Sequence, residues 1–352
     1  MKSSNKYQIF EKPEDSDFTA GGKAVEDVYK IAKRLNFSDL VIPVLRGDNF
    51  LNKAKKQYRF YRAWQKIYTK VQDHDILLFQ YPSYEKQINR TYILKKLKKE
   101  KKIKLIFVIH DINALRNTKD SRFYFRFNDM LGLADKIIVH NSVMKNYFVS
   151  LNVSPNKIIN LKIFDYLIDN YEYKKSTFSK TVNIAGNLSV NKSKYLEDLY
   201  KINTDFSLFG PNFKLRSATN IRYNGTVEPE VLPLVLNTGY GLVWDGDSID
   251  TCKGMYGNYL KYNNPHKLSL YIASNLPIII WKEAAEAKFV SENKIGILID
   301  SLNELPKKLN SITEKEYDQY CTNIKKVATK IAHGNYMESA INTAVAGIVD
   351  NN

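Results

Sequence analysis

Cysteine is scarce in this sequence: Cys252 and Cys321 lie far apart, without a Cys-x-x-Cys spacing. Their scarcity excludes a disulfide framework and the usual cysteine zinc sites, and it fits a reducing compartment. No run of about 18 apolar residues occurs, so no membrane-spanning helix is predicted. The opening residues MKSSNKYQIFEKPEDSD lack the apolar core of a signal peptide. We therefore predict a soluble, cytoplasmic protein.

Acidic residues are also few, with 37 Asp and Glu against 53 Lys and Arg, which gives a formal net charge of +16. A basic surface attracts nucleic acid, anionic membranes and phosphate-bearing substrates alike. No RNA-recognition, helix-turn-helix or zinc-finger pattern occurs, and the tyrosines are not clustered beside a basic face in the sequence, so no nucleic-acid partner is predicted. Peripheral attachment to a membrane through basic helix faces stays open.

At 352 residues the chain exceeds the usual size of one core, so two domains are expected. Short β-branched and aromatic runs alternate with helical patterns, as a parallel sheet with crossover helices requires. The predicted strands are residues 7–10, 40–45, 76–80, 104–109 and 136–140, then 182–185, 206–209, 221–223, 239–244, 277–281 and 295–299. The predicted helices of the first half are residues 24–35, 58–71, 86–99 and 122–133.

The polar segment 169–180 is interpreted as a linker between two α/β, Rossmann-like domains. We place the first domain at residues 1–167 and the second at 168–333. The last segment, 334–352, follows Gly334 and is predicted to be a helix that packs back on the first domain. Ligands of such folds bind beyond the carboxyl ends of the strands, so the loops that follow strands are the candidate sites.

The first candidate loop, Phe18-Thr19-Ala20-Gly21-Gly22-Lys23, lies between a strand and a helix. Glycines allow close approach of backbone N–H groups to a ligand, and a helix N-terminus favours phosphate. The loop matches neither a GxGxxG nor a Walker A pattern. A tight turn explains the two glycines equally well, so this loop indicates a ligand only in combination with others.

The second candidate pair is His110 and Asp111, at the predicted carboxyl end of a strand. There Asp111 is placed to take the proton of an attacking hydroxyl, and His110 to bind sugar hydroxyls. The alternative is that Asp111 caps the following turn and His110 is satisfied within the structure.

The third candidate is the string NYLKYNNPHK, residues 258–267, which precedes an apolar helix and the strand at 277–281. Pro265 stands where it can open the helix, with Asn263 or Asn264 as its cap. Exposed N–H groups, His266 and Lys267 would then converge at a helix N-terminus, which suits a diphosphate. A plain capped helix is the alternative.

The string PHKLSLYIASNLPIII resembles the P-x-K-x-x-E-Y-x-A-x-G-x-P-V-I signature of GT-B nucleotide-sugar transferases. More specifically, YLKYNNPHKLSLYIA resembles the glucosyltransferase 3 family, whose members extend glycans on bacterial serine-rich repeat adhesins. The resemblance implies a GT-B fold, with two Rossmann-like domains facing each other across a cleft. It also implies self-association into a homo-oligomer.

Site residues follow from the same resemblance. Lys267 and the N–H groups of residues 263–266 would hold the diphosphate, with Tyr259, Lys261 and Tyr262 in the same loop. Tyr223 would stack on uracil. The other implied donor contacts are Thr19, Gly21, Gly22, Asn187, Asn263, Asn264, His266 and Lys192. One departure is Leu270, which stands where these enzymes commonly place a ribose-binding Glu.

The predicted function is transfer of glucose from UDP-glucose to a GlcNAc-modified serine-rich repeat adhesin. The alternatives are a UDP-GlcNAc or galactofuranose donor for another cell-surface glycan, or a non-catalytic glycosylation partner with the same fold. No cofactor or metal is expected, because Lys267 and backbone donors are suited to stabilise the leaving diphosphate. Asp245-Gly-Asp247 matches a metal-binding Asp-x-Asp, a pattern that also arises by chance in loops.

Overall fold

The computed structural model describes residues 4–13, 22–44, 50–83, 85–112, 115, 126–214 and 218–349. Within them the chain forms two parallel, six-stranded sheets, as two successive strand and helix series predict. Among the described helices, none combines the length and the apolar character needed to cross a bilayer.

The first sheet has the strand order β2-β1-β3-β4-β5-β6. Its strands are β1 (Lys6–Pro13), β2 (Ser38–Val44), β3 (Ile76–Tyr81), β4 (Lys104–Ile109), β5 (Lys136–Val139) and β6 (Ile158–Asn160). The described helices between them are α1 (Lys23–Arg34), α2 (Phe50–Lys70), α3 (Arg90–Lys101), α4 (Phe127–Leu133) and α5 (Ser142–Ser150).

Strand β4 shows why this sheet is covered on both faces. Its run KLIFVI is apolar after the first residue. Leu105 and Phe107 point into a core with α2 and α3, while Ile106 and Val108 point into the core on the opposite face. A continuous apolar strand is typical of a parallel sheet between two helical layers.

The second sheet has the order β12-β11-β10-β7-β8-β9. Its strands are β7 (Thr177–Ala185), β8 (Phe206–Phe209), β9 (Ile221–Tyr223), β10 (Thr238–Val243), β11 (Ile278–Trp281) and β12 (Gly296–Ile299). The helices of this half are α6 (Leu232–Val235), α7 (Gly254–Tyr259), α8 (His266–Ala273), α9 (Ala287–Asn293), α10 (Leu305–Ser311) and α11 (Glu314–His333).

The last helix, α12 (Asn335–Val349), returns to the first domain and packs beside α1. Met337, Ile341 and Ile348 complete the core on that face of the first sheet. Gly334 separates α11 from α12 at φ 88°, where a Cβ would lie 2.8 Å from the Ile31 side chain. Glycine is required at this crossing because both the backbone angle and the space exclude a side chain.

Several predicted boundaries were wrong. The segment 169–180 is not wholly a linker, because β7 begins at Thr177. The helix predicted at 58–71 begins at Phe50, and the helix predicted at 86–99 begins only at Arg90. The short strand β6 was not predicted.

Candidate functional site

His110 follows β4 at the cleft edge of the first sheet and is held by Gln80. The Gln80 Nε2 donates to the Val25 carbonyl (3.1 Å), so its Oε1 accepts from His110 Nε2 (2.7 Å). The His110 ring also stacks on Phe164, with centroids 5.5 Å apart. Burial, with smaller contributions from His140 and His266, lowers the pKa of His110 to about 3. His110 is therefore neutral, with Nδ1 as its hydrogen-bond acceptor.

Asp111 is half-buried and lies one residue from a contact between the domains. The backbone N–H of Ile112 donates to the Tyr259 hydroxyl at 3.0 Å. Tyr259 is buried at the end of α7, in the segment 259–267 that we call the donor loop. Asp111, the predicted base, thus lies beside the predicted diphosphate loop. Tyr259 itself is buried within this loop and does not line an open surface.

A second contact between the domains joins Asn264 of the donor loop to His140, at the end of β5. The Asn264 backbone N–H donates to His140 Nδ1 (2.9 Å), and its Nδ2 donates to the carbonyls of His140 (2.7 Å) and Lys162 (3.1 Å). His140 Nε2 lies 3.0 Å from the Ile109 carbonyl, to which it donates. These bonds fix a neutral His140 in a single tautomer.

Asn141 extends this contact. Its Oδ1 accepts from the Met144 N–H and caps α5, while its Nδ2 donates to the Tyr262 carbonyl (2.9 Å) and to Asn264 Oδ1 (2.7 Å). The donor loop is therefore held by the residues that follow β5. Asn263 Oδ1, in contrast, is buried and has no hydrogen-bond partner among the described residues.

The predicted cap of α8 is wrong. Pro265 itself occupies the cap position, and no side chain caps the helix, because Asn264 is committed to His140 and Lys162. His266 lies in the first turn, where its Nε2 donates to the Asp165 carbonyl at 3.1 Å. Because Asn264 bonds elsewhere, the first backbone N–H groups of α8 have no capping side chain. An anion-binding helix end requires such uncapped N–H groups.

Lys267 forms a buried ion pair rather than pointing into open solvent. Its Nζ lies 2.8 Å from Asp245 Oδ1 and 3.0 Å from the Trp244 carbonyl, at the end of β10. The Lys267 and Asp245 side chains are 15% and 10% exposed. Asp245, considered above as a metal ligand, thus serves as the counter-ion of the predicted phosphate-binding lysine. Among the described residues, no cluster of His, Cys, Asp and Glu is arranged to hold a metal ion.

Lys261 lies farther out in the donor loop. Its Nζ is 2.6 Å from Glu283 Oε2 and 5.3 Å from the centre of the Trp281 ring. Both charged side chains are about half-exposed, so this pair is easily exchanged for a ligand.

Two more predicted residues lie at the carboxyl ends of β7 and β9. Asn187 Oδ1 accepts from the Asn212 side chain at 3.1 Å. The Tyr223 hydroxyl donates to the Gly210 carbonyl at 3.0 Å, and its ring stacks on Phe213, with centroids 4.6 Å apart. Tyr223 remains 42% exposed, which leaves a flat aromatic surface for a base.

Lys192 links these residues to the helix before the donor loop, because its Nζ lies 5.8 Å from the centre of the Tyr256 ring on α7. Gly22 precedes α1 at the facing edge of the first sheet, without a side-chain cap. Thr19 and Gly21 lie outside the described residues. Leu270 is buried in the core, so ribose recognition does not come from that position.

His140, Asn141 and the role of Asp245 were not predicted from the sequence. His140 and Asn141 carry the signal that identified His110 and Asp111, since both pairs follow a predicted strand of the same sheet. Glu286 was also missed. Burial raises the pKa of its carboxyl well above the ordinary value, and its Oε2 has no partner among the described residues.

The arrangement brings four groups to one cleft: the Asp111 carboxylate, the neutral His110 ring, the Lys267 ammonium and the uncapped N-terminus of α8. A carboxylate beside such a helix end suits the displacement of a phosphate leaving group by a hydroxyl. The aromatic ring of Tyr223 and the turn at Asn187 add a place for a nucleoside.

Comparisons with known proteins agree with this geometry. Models of the glucosyltransferase 3-like N-terminal and C-terminal domains match residues 6–163 and 182–344. Beta-1,6-galactofuranosyltransferase WbbI of Escherichia coli (strain K12) is 34% identical over 280 residues, which cover 78% of this chain and 80% of that protein. Glucosyltransferase 3 of Streptococcus gordonii is 25% identical over 328 residues, which cover 93% and 94%.

Solved structures share the fold at low sequence identity. HepE from Anabaena, crystallised with UDP-glucose, has a TM-score of 0.61 at 12% identity, covering 96% of this chain and 99% of that one. Sucrose-phosphate synthase from Thermosynechococcus elongatus has a TM-score of 0.61 at 11% identity, covering 99% and 100%. The chain therefore belongs to the glucosyltransferase 3-like family, and the predictions of a GT-B fold and of a hexosyltransferase are confirmed.

Proposed function

We propose that this enzyme transfers a hexose from a UDP-linked donor to a hydroxyl group of a cell-surface glycan. The observation that carries the proposal is the hydrogen bond from Ile112 N–H to the Tyr259 hydroxyl. It holds Asp111, on the first domain, beside the donor loop of the second. A base and a diphosphate site on opposite sides of one cleft are what a displacement at an anomeric carbon needs.

In this proposal the second domain binds UDP. Lys267 and the uncapped N-terminus of α8 stabilise the diphosphate, since cations and N–H groups there oppose the charge that develops on the leaving group. Lys261 and Lys192 add positive charge at the rim. Tyr223 stacks on uracil with the ring face opposite Phe213, and Asn187 contacts the donor from the turn after β7.

The chemical step forms a bond between the acceptor oxygen and the anomeric carbon and breaks the bond from that carbon to the diphosphate. Asp111 accepts the proton of the attacking hydroxyl, and UDP leaves with the bonding electrons. His110 accepts a hydrogen bond from a sugar hydroxyl at Nδ1. We propose that no metal ion takes part, because Lys267 supplies the positive charge on the diphosphate.

Two donors are supported by different observations. UDP-galactofuranose is favoured by the relative with 34% identity, which is named as a galactofuranosyltransferase. UDP-glucose is favoured by the family description and by a relative that matches 93% of this chain. If UDP-glucose is the donor, the proposal includes a GlcNAc-bearing adhesin as the acceptor and assembly into a homo-oligomer.

The test is release of UDP and formation of a glycan product, followed for UDP-galactofuranose, UDP-glucose and UDP-GlcNAc with hexose and GlcNAc acceptors. One donor should be turned over at least tenfold faster than the others. Asp111→Asn should lower kcat by about 10²- to 10⁴-fold while UDP still binds. UDP binding without turnover of any donor would instead identify a non-catalytic glycosylation partner.

A further inference from the structure

The outer surface formed by α2 and α3 is strongly basic. Helix α2 contains seven Lys and Arg residues and no Asp or Glu. Six of them are exposed on its outer side: Lys53, Lys55, Arg59, Arg62, Lys66 and Lys70. On α3, Lys95 and Lys99 are exposed as well, with the Lys95 Nζ 3.6 Å from the Asp129 carboxylate. The exposed Glu100, at the end of α3, accepts a hydrogen bond from Tyr68 of α2. A surface with so many positive charges attracts an anionic partner before the two come into contact.

Side-chain contacts fix how the two helices lie together. The Gln57 Oε1 accepts from the Ile88 backbone N–H at 3.1 Å, near the starts of both helices. Farther along, the Lys96 ammonium lies 4.5 Å from the centre of the Tyr68 ring. Residues three or four apart share a helix face. The side chains four residues along from these contacts therefore face the same groove from opposite sides.

Large apolar side chains occupy that groove and its edge, and they are exposed. The exposed fractions are 62% for Tyr58, 49% for Tyr61, 72% for Ile88 and 66% for Tyr92. Tyr61 follows Gln57 by four residues, and Tyr92 precedes Lys96 by four, which places them opposite each other. The interpretation that the tyrosines do not cluster beside a basic face is therefore wrong for this surface.

We propose that this α2–α3 surface binds the face of an anionic lipid bilayer. Tyrosine rings and an isoleucine insert at the headgroup level, while long Lys and Arg stems reach the lipid phosphates. A second copy of the chain fits poorly, because two such surfaces would bring like charges together. A bilayer instead offers both negative charge and an apolar layer.

The position of the surface gives this binding a consequence for the enzyme. Helices α2 and α3 follow β2 and β3, so their first turns lie at the carboxyl edge of the first sheet. Asp111 lies at the same edge. If the proposed transferase function holds, membrane binding brings the acceptor side of the cleft to acceptors carried on lipids.

The test is co-sedimentation of the full chain with vesicles of phosphatidylcholine alone or mixed with phosphatidylglycerol, without sugar donor. We expect binding only to the anionic vesicles. Replacing Lys53, Lys55, Arg62 and Lys66 with Gln should weaken binding more than tenfold, since each basic residue near the surface is worth about fivefold. Replacing Tyr61, Ile88 and Tyr92 with Ser should weaken it at high salt, where charge is screened.

A matched control removes four exposed lysines from the second domain: Lys307, Lys315, Lys326 and Lys330 to Gln. This variant has the same net charge and should bind like the wild type. Equal loss in both charge variants, or no binding to anionic vesicles, would overturn the proposal. So would tighter binding to an oligonucleotide than to vesicles, or a dimer that the Ser variant dissociates.

The two proposals fail separately. Vesicle binding is measured without turnover, so it does not depend on the donor. Conversely, the variant with Gln at positions 53, 55, 62 and 66 should release UDP at the wild-type rate with a water-soluble acceptor, because none of these residues lies in the donor loop or beside Asp111.

Discussion

Asn264 donates two hydrogen bonds to one residue of the opposite domain, from its backbone N–H to His140 Nδ1 and from its side chain to the His140 carbonyl. The pair makes the position of the donor loop depend on the end of β5. Unlike a surface ion pair, the Asn264–His140 contact is buried and its polar atoms all have hydrogen-bond partners. It therefore sets the geometry of the cleft at low energetic cost.

Asn264→Asp should therefore destabilise the protein. The carboxylate keeps the shape of the amide but places negative charge against the carbonyls of His140 and Lys162. Loss of buried donors costs about 1–3 kcal/mol, and more for a charged group. We expect the Tm to fall by several degrees in a thermal unfolding experiment. Asn203→Asp, at an exposed position of the second domain, is the control and should leave the Tm nearly unchanged.

Removal of the Lys267 charge should lower transfer about a hundredfold, or ~3 kcal/mol of transition-state stabilisation. Because Lys267→Met alone would leave Asp245 buried without its counter-ion, the informative variant is Lys267→Met with Asp245→Asn. Asp245→Asn alone is the control and should keep most of the activity. Initial rates with the preferred UDP-sugar measure both; a double variant at the wild-type rate would contradict the role of Lys267.

Tyr223→Ala should weaken UDP binding, because it removes the aromatic surface proposed for uracil. Stacking of a base on an aromatic side chain is worth about 1–3 kcal/mol, roughly 5- to 150-fold in Kd. Tyr223→Phe keeps the ring and should bind within threefold of the wild type in calorimetry. Tyr200→Ala removes an exposed tyrosine elsewhere in the domain, and equal losses in both Ala variants would count against a specific platform.

Acid should weaken the fold through His266, because burial lowers the pKa of His266 to about 4, from an ordinary value of 6.5. Between these values the unfolded chain binds the proton more readily than the folded chain does. The stability that depends on neutral His266 is therefore complete above pH 6.5 and is lost as the pH falls toward 4.

The measurement is Tm at pH 7.5 and pH 5.0 for the wild type and for His266→Gln. Between pH 7.5 and pH 5.0, the Tm of the His266→Gln variant should fall less than the Tm of the wild type. Burial raises the pKa of Asp165 to about 8, which acts in the opposite direction, but both proteins contain Asp165. The difference between the two proteins thus isolates His266, and parallel pH curves would be the contrary result.

Thorough chelation should leave transfer unchanged. Asp245 is paired with Lys267 at 2.8 Å. In the proposed mechanism the Lys267 ammonium, rather than a metal ion, opposes the charge of the diphosphate. Rates before and after treatment with EDTA measure this, with added Mg²⁺ or Mn²⁺ as the restoring control. Activity that disappears and returns with the metal would show that Asp245 changes partner on substrate binding.

The sequence predicted the strands well because each carries its own signal. The run KLIFVI is apolar and β-branched, and the observed β4 has the predicted bounds. The start of α2 was missed because Lys56 is buried there by pairing with Glu85, which interrupts the expected apolar periodicity. The residues near a helix end depend on such distant partners, and a local pattern does not contain them.

The site was predictable in its residues but not in its connections. The donor loop was identified from its own string, whereas the partners of Asn264 lie 124 and 102 residues away, at His140 and Lys162. The prediction that Asn263 or Asn264 caps α8 was wrong, and the Asn264 side chain bonds to His140 and Lys162 instead. Lys267 was identified as a cation, but the Asp245 that neutralises it lies across the sheet, on the loop after β10.

The return of α12 to the first domain has a consequence for biosynthesis. Met337, Ile341 and Ile348 seal a core whose members outside α12 come from the first 170 residues. The part of this face of the first sheet that lies beside α1 thus stays uncovered until α12 has left the ribosome. The domain that is made first therefore completes its core only after α12 is made, and removal of α12 would damage the N-terminal domain.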